Sequence, residues 1–209
     1  MTTEQLVTAF VTLFVIIDPI GLTPLFVALT QGTGDAARRR IGTRAILVAF
    51  GLLTLFGLAG QGLLRAIGIG MPAFGISGGL LLFLTAVDML FERRSDRRER
   101  TAQTEADQPH DPSVFPLAMP LIAGPGALAT MVLLAGQYPG QPLAILGIHV
   151  VMAFVLALTW ALFQASRFIE RALGRTGIVV VTRLFGMLLA ALAVQFILNG
   201  LRQEGVIGG

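Results

Sequence analysis

Several residue types are missing or scarce in this chain, and each shortage removes a class of function. There is no cysteine among the 209 residues. A disulfide framework and a thiolate metal site are therefore excluded. There is no lysine either; all fifteen basic residues are arginine. No G-x-x-x-x-G-K-[ST] occurs, so a P-loop is absent and any energy source would be an ion gradient or the solute's own gradient. Charged residues make up only 13% of the chain, against about 25% in a typical soluble domain. The net charge is +3 and the pI about 10.9. With one tyrosine, no lysine and no cysteine, little titrates between neutrality and the arginine range, so a small excess lifts the pI. The basic value is not a nucleic-acid signature.

What is present is apolar. Hydrophobic residues form 55% of the chain, and the mean hydropathy is +0.80. Six apolar segments lie near 4–30, 41–64, 68–91, 114–136, 142–165 and 178–201. Each has roughly the 20 residues that cross ~30 Å of hydrocarbon at ~1.5 Å per residue. Polar, Gly- or Pro-rich text separates them: QGTGDAARRR, LRAIGIGMP, GQYPGQP and RALGRTG. The N-terminal MTTEQ carries Glu4 and no basic residue. It lacks the positive n-region of a signal peptide, so the first run is expected to remain as a membrane helix. One linker differs. ERRSDRRERTAQTEADQPHDP, Glu92 to Pro112, has mixed charge and no apolar period, and reads as a solvated loop. It divides the chain into a first three-helix unit (1–91), a linker (92–113) and a second three-helix unit (114–209).

Arginine placement predicts orientation. On the side of the N-terminal tail stand Arg65 and Arg202; the other thirteen fall on the opposite side. Basic residues collect in cytoplasmic loops. Both termini should therefore face outward, with the linker in the cytoplasm. Three helices per half make the halves enter from opposite sides, the arrangement of an inverted repeat. AFGISGGLLLFLTAVDM (Ala73 to Met89) and LFGMLLAALAVQFILNG (Leu184 to Gly200) align without gaps. Phe74-Gly75 falls on Phe185-Gly186, and Asp88 on Asn199. The first helix of each half carries Pro beside Gly: Asp18-Pro19-Ile20-Gly21 and Gly124-Pro125-Gly126.

Those prolines predict broken helices. Proline lacks an N–H, so Pro19 leaves the carbonyl of Val15 without its helical partner, Pro24 that of Ile20, and Pro125 that of Leu121. Lipid cannot satisfy such groups, so they must face protein or a water-filled cavity. Matching interruptions in two halves are the best sequence pointer to a transporter's central site. Asp18-Pro19 has the form of an N-cap with proline at the first helical position. Gly124-Pro125 has the same form without a capping side chain. The N–H groups of Gly126, Ala127 and Leu128 are then expected to stand open, an arrangement that binds carboxylate. Asp18, Gly21 and Thr23 on one side, with Gly124, Gly126, Ala127 and Leu128 on the other, are the predicted solute site. One anion beside one anion receptor suits a small zwitterion. Val15, Ile20 and Leu121 carbonyls, Asp18, and the Gln195–Asn199 pair at i, i+4 spacing are candidate ion or pathway groups.

The stretches FVTLFVIIDPIGLTPLFVALT (Phe10 to Thr30) and PLAMPLIAGPGALATMV (Pro116 to Val132) resemble the two signature helices of the MarC family of bacterial inner-membrane proteins. ISGGLLLFLTAVDML and RLFGMLLAALAVQFILNG are similar to that family too, so the resemblance spans all but the linker. It implies six membrane helices with both termini outside. Some members are small neutral amino acid transporters moving glycine or alanine with a cation gradient; others are named for antibiotic resistance.

Plainer readings stand beside these. Asp18 could be a structural cap, and Gly124-Pro125-Gly126 could serve close helix packing, as could Gly75, Gly78 and Gly79. His149 reads as a helix contact or a proton relay. Trp160 and Tyr138 read as interfacial or packing aromatics, and Arg44 and Arg183 as snorkelling side chains. The expected protein is all-α and integral to the membrane, with six transmembrane helices in two inverted three-helix repeats and helices 1 and 4 broken at mid-membrane. Its expected function is secondary transport of small neutral amino acids, coupled to a cation (Na+ or H+) or exchanging, with no other cofactor and no nucleic-acid partner. Two alternatives compete: a membrane scaffold or regulatory protein, and an intramembrane hydrolase using Asp18 and Asp88, which would need to share a proton at close range.

Overall fold

The computed structural model describes residues 1–91 and 111–207. The predicted linker (92–113), with its Arg93 to Arg100 cluster, lies outside them except for Asp111, Pro112 and Ser113. The described residues are helical and contain no strand. In chain order the helices are α1 (Thr3–Ile17), α2 (Pro19–Leu29), α3 (Asp35–Ala66), α4 (Met71–Leu90), α5 (Ser113–Ile122), α6 (Pro125–Gly136), α7 (Pro142–Gln164) and α8 (Ser166–Gln203). Five spans are long and apolar enough to cross a membrane: Thr3–Leu29, Asp35–Ala66, Met71–Leu90, Pro142–Gln164 and Arg171–Gln203. A sixth results if α5 and α6, bent by 57° at their junction, form one span.

Burial separates a central pair from an outer set. α1 and α2 are buried without interruption from Val15 to Pro19, and α6 from Ala129 to Ala135. Leu13, Ile17, Leu22 and Phe26 have no exposed surface. The outer helices carry large apolar side chains outward instead. On α7, Leu143, Leu146, Val150 and Phe154 are exposed at helical spacing. An exposed stripe of this kind would be a liability in water and suits lipid.

α4 and α8 form the closest helix pair, and glycine makes it possible. A Cβ at Gly79 would stand 2.8 Å from the Ala193 carbonyl, and one at Gly200 would stand 2.8 Å from that of Pro72. One at Gly186 would stand 3.2 Å from the Ala86 carbonyl. The partners descend along one helix as they ascend the other, so the pair is antiparallel. Small residues let backbones approach this closely in membranes. Packing thus accounts for Gly79; Gly75 and Gly78 meet Leu133 at 3.7 and 3.0 Å.

Two connections differ from the sequence reading. QGTGDAARRR is not all turn: the helix of α3 starts at Asp35, so Arg38, Arg39 and Arg40 belong to its first turns. Asp35 in that first turn favours the helix start electrostatically. RALGRTG is a kink between two helices rather than a longer turn. Helix runs through it, interrupted at Gly174 alone (φ 60°, ψ 175°), a conformation that glycine adopts without penalty.

Candidate functional site

The first interruption is one residue wide. Asp18 ends α1 and caps α2 in the left-handed conformation (φ 56°, ψ 62°). It is the only non-glycine residue with positive φ among those described. Its N–H donates to the Phe14 carbonyl at 3.0 Å, and its own carbonyl accepts from Leu22 N–H at 3.0 Å. Pro19 follows at the first helical position and returns no N–H to Val15. The Asp18 carboxylate folds forward, and Oδ1 accepts from Gly21 N–H at 3.1 Å. A Cβ at Gly21 would collide with Asp18 Oδ2. The glycine is thus the space into which the carboxylate folds. Asp18 is 1% exposed.

The other residues of this break are committed locally. Thr23 is fully buried and donates its hydroxyl to the Pro19 carbonyl at 3.0 Å. Val15 is buried and Ile20 half-buried.

The second interruption is wider. α5 closes its turns with longer reach: Leu117 N–H donates to Pro112 and Ala123 N–H to Ala118, five residues back. Phe115 and Met119 are extended within it. The loss of a partner for the buried Leu121 therefore does not follow from Pro125 alone, since α5 is no α-helix. A Cβ at Gly124 would stand 2.6 Å from the Pro120 carbonyl, so glycine is required there by close approach. Gly124 caps α6 without a side-chain bond. Leu128 N–H donates to the Gly124 carbonyl at 3.0 Å, which corrects the expectation that it stands open. The N–H groups of Gly126 and Ala127 find no acceptor among the described residues. They are the groups that a helix start leaves unpaired.

The two interruptions approach each other. A Cβ at Gly126 would stand 3.0 Å from Ile16 Cδ1 and 3.4 Å from Leu82 Cδ2. The start of α6 therefore packs on α1 two residues before Asp18. Apolar side chains fill the junction, and Ala127 is buried behind it.

Open space lies further along α1. A cavity of about 460 Å³ on the N-terminal side is bounded by α1, α6, α7 and α8. Its polar lining includes Glu4, Thr8, Thr12, Gln137, Tyr138, Gln195 and Asn199. Gln195 Nε2 donates to Asn199 Oδ1 at 2.8 Å, so the predicted pathway pair belongs here rather than at the break. Thr12, on its wall, stands six residues from Asp18, about 9 Å along the helix axis.

At the opposite end, side chains of four helices lock together. Arg38 is 8% exposed and donates to the Ser166 hydroxyl, which itself donates to the Phe163 carbonyl at 2.7 Å. The Arg38 guanidinium lies 5.1 Å over the Phe26 ring. Phe26 stacks on Phe163 at 4.4 Å with 5° between planes. This knot ties α2, α3, α7 and α8 together. Nearby, Arg44 pairs with Asp111 instead of only snorkelling. Trp160 Nε1 donates to Thr43 at 3.0 Å beneath Arg39, which lies 5.5 Å over the ring.

His149 packs between helices. Its Nδ1 meets the Ile145 carbonyl at 2.8 Å, and a Cβ at Gly57 would stand 2.8 Å from Nε2. Among the described residues, the buried Nε2 finds no hydrogen-bond partner.

Sequence comparison decides the family. The profile described as "MarC family integral membrane protein" matches residues 3–204. The chain belongs to the MarC family. It is 36% identical to the UPF0056 inner membrane protein YhgN of Escherichia coli K12 over 204 residues, 95% of this chain and 97% of that one. It is 36% identical to a UPF0056 membrane protein of Archaeoglobus fulgidus over 201 residues, covering 94% and 92%. It is 35% identical to YvbG of Bacillus subtilis over 202 residues, covering 94% of each. No solved structure matches the chain. These MarC relatives are named as membrane proteins, and this chain is an integral membrane protein of the same kind.

Sequence reasoning missed Arg38, Thr8, Thr12, Gln137 and Tyr138 as parts of a site. The i, i+4 spacing of Thr8 and Thr12 was a usable signal, since it puts both hydroxyls on one face. Arg38 had none: in the sequence it is one of three adjacent arginines.

Proposed function

We propose that this protein is a secondary transporter of small neutral amino acids in the cytoplasmic membrane, working by alternating access around Asp18 and Gly126. The observation that carries the reading is the junction itself. Ile16, two residues before the buried, left-handed Asp18, packs on a helix start whose Gly126 and Ala127 N–H groups find no acceptor among the described residues. Strained, buried polar backbone of this kind persists where function requires it. The Asp18 carboxylate and the start of α6 carry opposite polarity, one suited to each end of a zwitterion.

In this reading the structure is one state of a cycle. The cavity opens toward the N-terminal side, and the Arg38–Phe26–Phe163 knot closes the arginine-rich side. Ile16 and Leu82 occlude the centre, and solute enters when α6 parts from α1. The antiparallel α4–α8 pair is the axis expected of two inverted three-helix repeats, 1–91 and 114–209. Leu82 and Ala193 are equivalent in the gap-free alignment of those repeats, and neither has exposed surface. Thirteen of fifteen arginines on one side support termini that face outward. Na+ or H+ supplies the coupling. The mechanism uses no catalytic residue.

The experiment is flux into liposomes holding purified protein, with labelled glycine, alanine and serine and with imposed sodium or proton gradients. Uptake that is lost in Asp18→Asn and in Gly126→Val supports the reading. Uptake unaffected by both removes these residues from the mechanism. No uptake of any of the three hands the lead to a scaffold role.

A further inference from the structure

The 460 Å³ cavity presents opposite chemistry on its two walls. On α1, the Thr8 hydroxyl donates to the Glu4 carbonyl at 3.0 Å, and the Thr12 hydroxyl to the Thr8 carbonyl at 2.7 Å. Both protons are spent on backbone, so each hydroxyl has only lone pairs to offer a solute. Glu4, on the same helix, adds a carboxylate at the mouth. On α8, donors are available. The Asn199 carbonyl oxygen is occupied by Gln195, which leaves the Asn199 amide N–H groups to donate. The α1 wall therefore offers acceptors, while α8 adds the donors of Asn199.

We propose that this cavity is a recognition site for a small zwitterion, separate from the Asp18–Gly126 junction. The solute's ammonium faces Thr8, Thr12 and Glu4, and its carboxylate faces Asn199. The proposal rests on the transporter reading for its biological sense, because the site then loads solute before the junction opens. The volume exceeds what glycine or alanine fills, so the solute binds with water around it. Bridging waters serve such contacts nearly as well as direct bonds.

The test is isothermal titration of purified full-length protein with glycine, glycinamide and acetate. The Asp18→Asn background disables the junction and isolates this cavity. Glycine binding should persist there and exceed binding of the two single-charge probes. Adding Thr12→Val or Asn199→Leu should weaken it by at least about tenfold, a loss of about 1.4 kcal/mol, while Thr12→Ser should retain it. Absence of glycine binding in folded Asp18→Asn protein overturns the proposal, as does binding indifferent to both substitutions. The two readings fail separately. Liposome flux lost in Asp18→Asn with an external KM unchanged in Thr12→Val removes the cavity site and leaves the transporter. Persistent Thr12-dependent binding without any flux removes the transporter and leaves the site.

Discussion

At the scale of single residues, Asp18 and Gly21 act as a unit. Asp18 holds a left-handed backbone that asparagine and aspartate tolerate better than other side chains. Its carboxylate caps α2 only because Gly21 has no Cβ. Gly21→Ala should therefore displace the carboxylate and cost about 1 kcal/mol, the usual loss for an N-cap. It should show as a lower melting temperature in detergent. Asp18→Asn makes the complementary prediction. Asparagine caps as well as aspartate and suits the same backbone. Stability should change by less than about 0.5 kcal/mol, while solute flux falls at least about tenfold, about 1.4 kcal/mol of lost transition-state binding. Equal loss of fold and flux would reduce Asp18 to a structural cap. The Asp-Pro-x-Gly text made the cap legible in advance. The left-handed turn was not legible, because it depends on where α1 must end relative to α2.

At the scale of elements, two ties set what can move. Asp111 links the start of α5 to Arg44 on α3. Its carboxyl is held below the ordinary value near 3.8, first by the Ser113 hydroxyl, then by Ser113 N–H and Arg44, against burial working the other way. The hydroxyl lacks good hydrogen-bond geometry, so the Ser113 N–H, at 3.0 Å, and the guanidinium carry the firmer part. A lowered folded value means the tie is fully present above the unfolded pKa and is lost as pH falls through the folded one. Both side chains are about half exposed, so the contribution should stay below about 1 kcal/mol. Asp111→Asn should lower the melting temperature at pH 7, and the gap from wild type should close as pH drops below about 4. The second tie is Arg38 on Phe26 and Ser166. Arg38→Met should loosen the arginine-rich end and raise maleimide labelling of a Thr23→Cys reporter from that side. Unchanged labelling would show that the knot is not a gate. The spans were legible from apolar length alone, nearly to the residue at Leu90 and Gly136. The irregular turns of α5 were not, because nothing local marks a helix that closes over five residues. The buried Arg38 was hidden for a similar reason: only the meeting of four helices distinguishes it from Arg39 and Arg40.

At the scale of the whole molecule, the account joins orientation, symmetry and access. Cysteine is absent, so single cysteines report without background. Thr2→Cys and Gln203→Cys should react with an impermeant maleimide in intact cells, and Ala36→Cys only after permeabilisation. The reverse pattern would invert the arginine argument. The family and the all-helical architecture were legible in the sequence, since apolar length and the Gly-Pro motifs are local signals. The cavity on the N-terminal side was not, because it is assembled by four helices from both ends of the chain. The most direct measurement is the accessibility of Thr12→Cys and Thr23→Cys, which flank Asp18 on either side, with and without saturating alanine. The account predicts that Thr12→Cys reacts from outside without solute and is slowed by alanine, while Thr23→Cys becomes reactive from the cytoplasmic side when alanine is present. If neither site changes with any small amino acid, or if both react from the same side throughout, the residues around Asp18 are not alternately exposed and the protein is not a carrier of this kind.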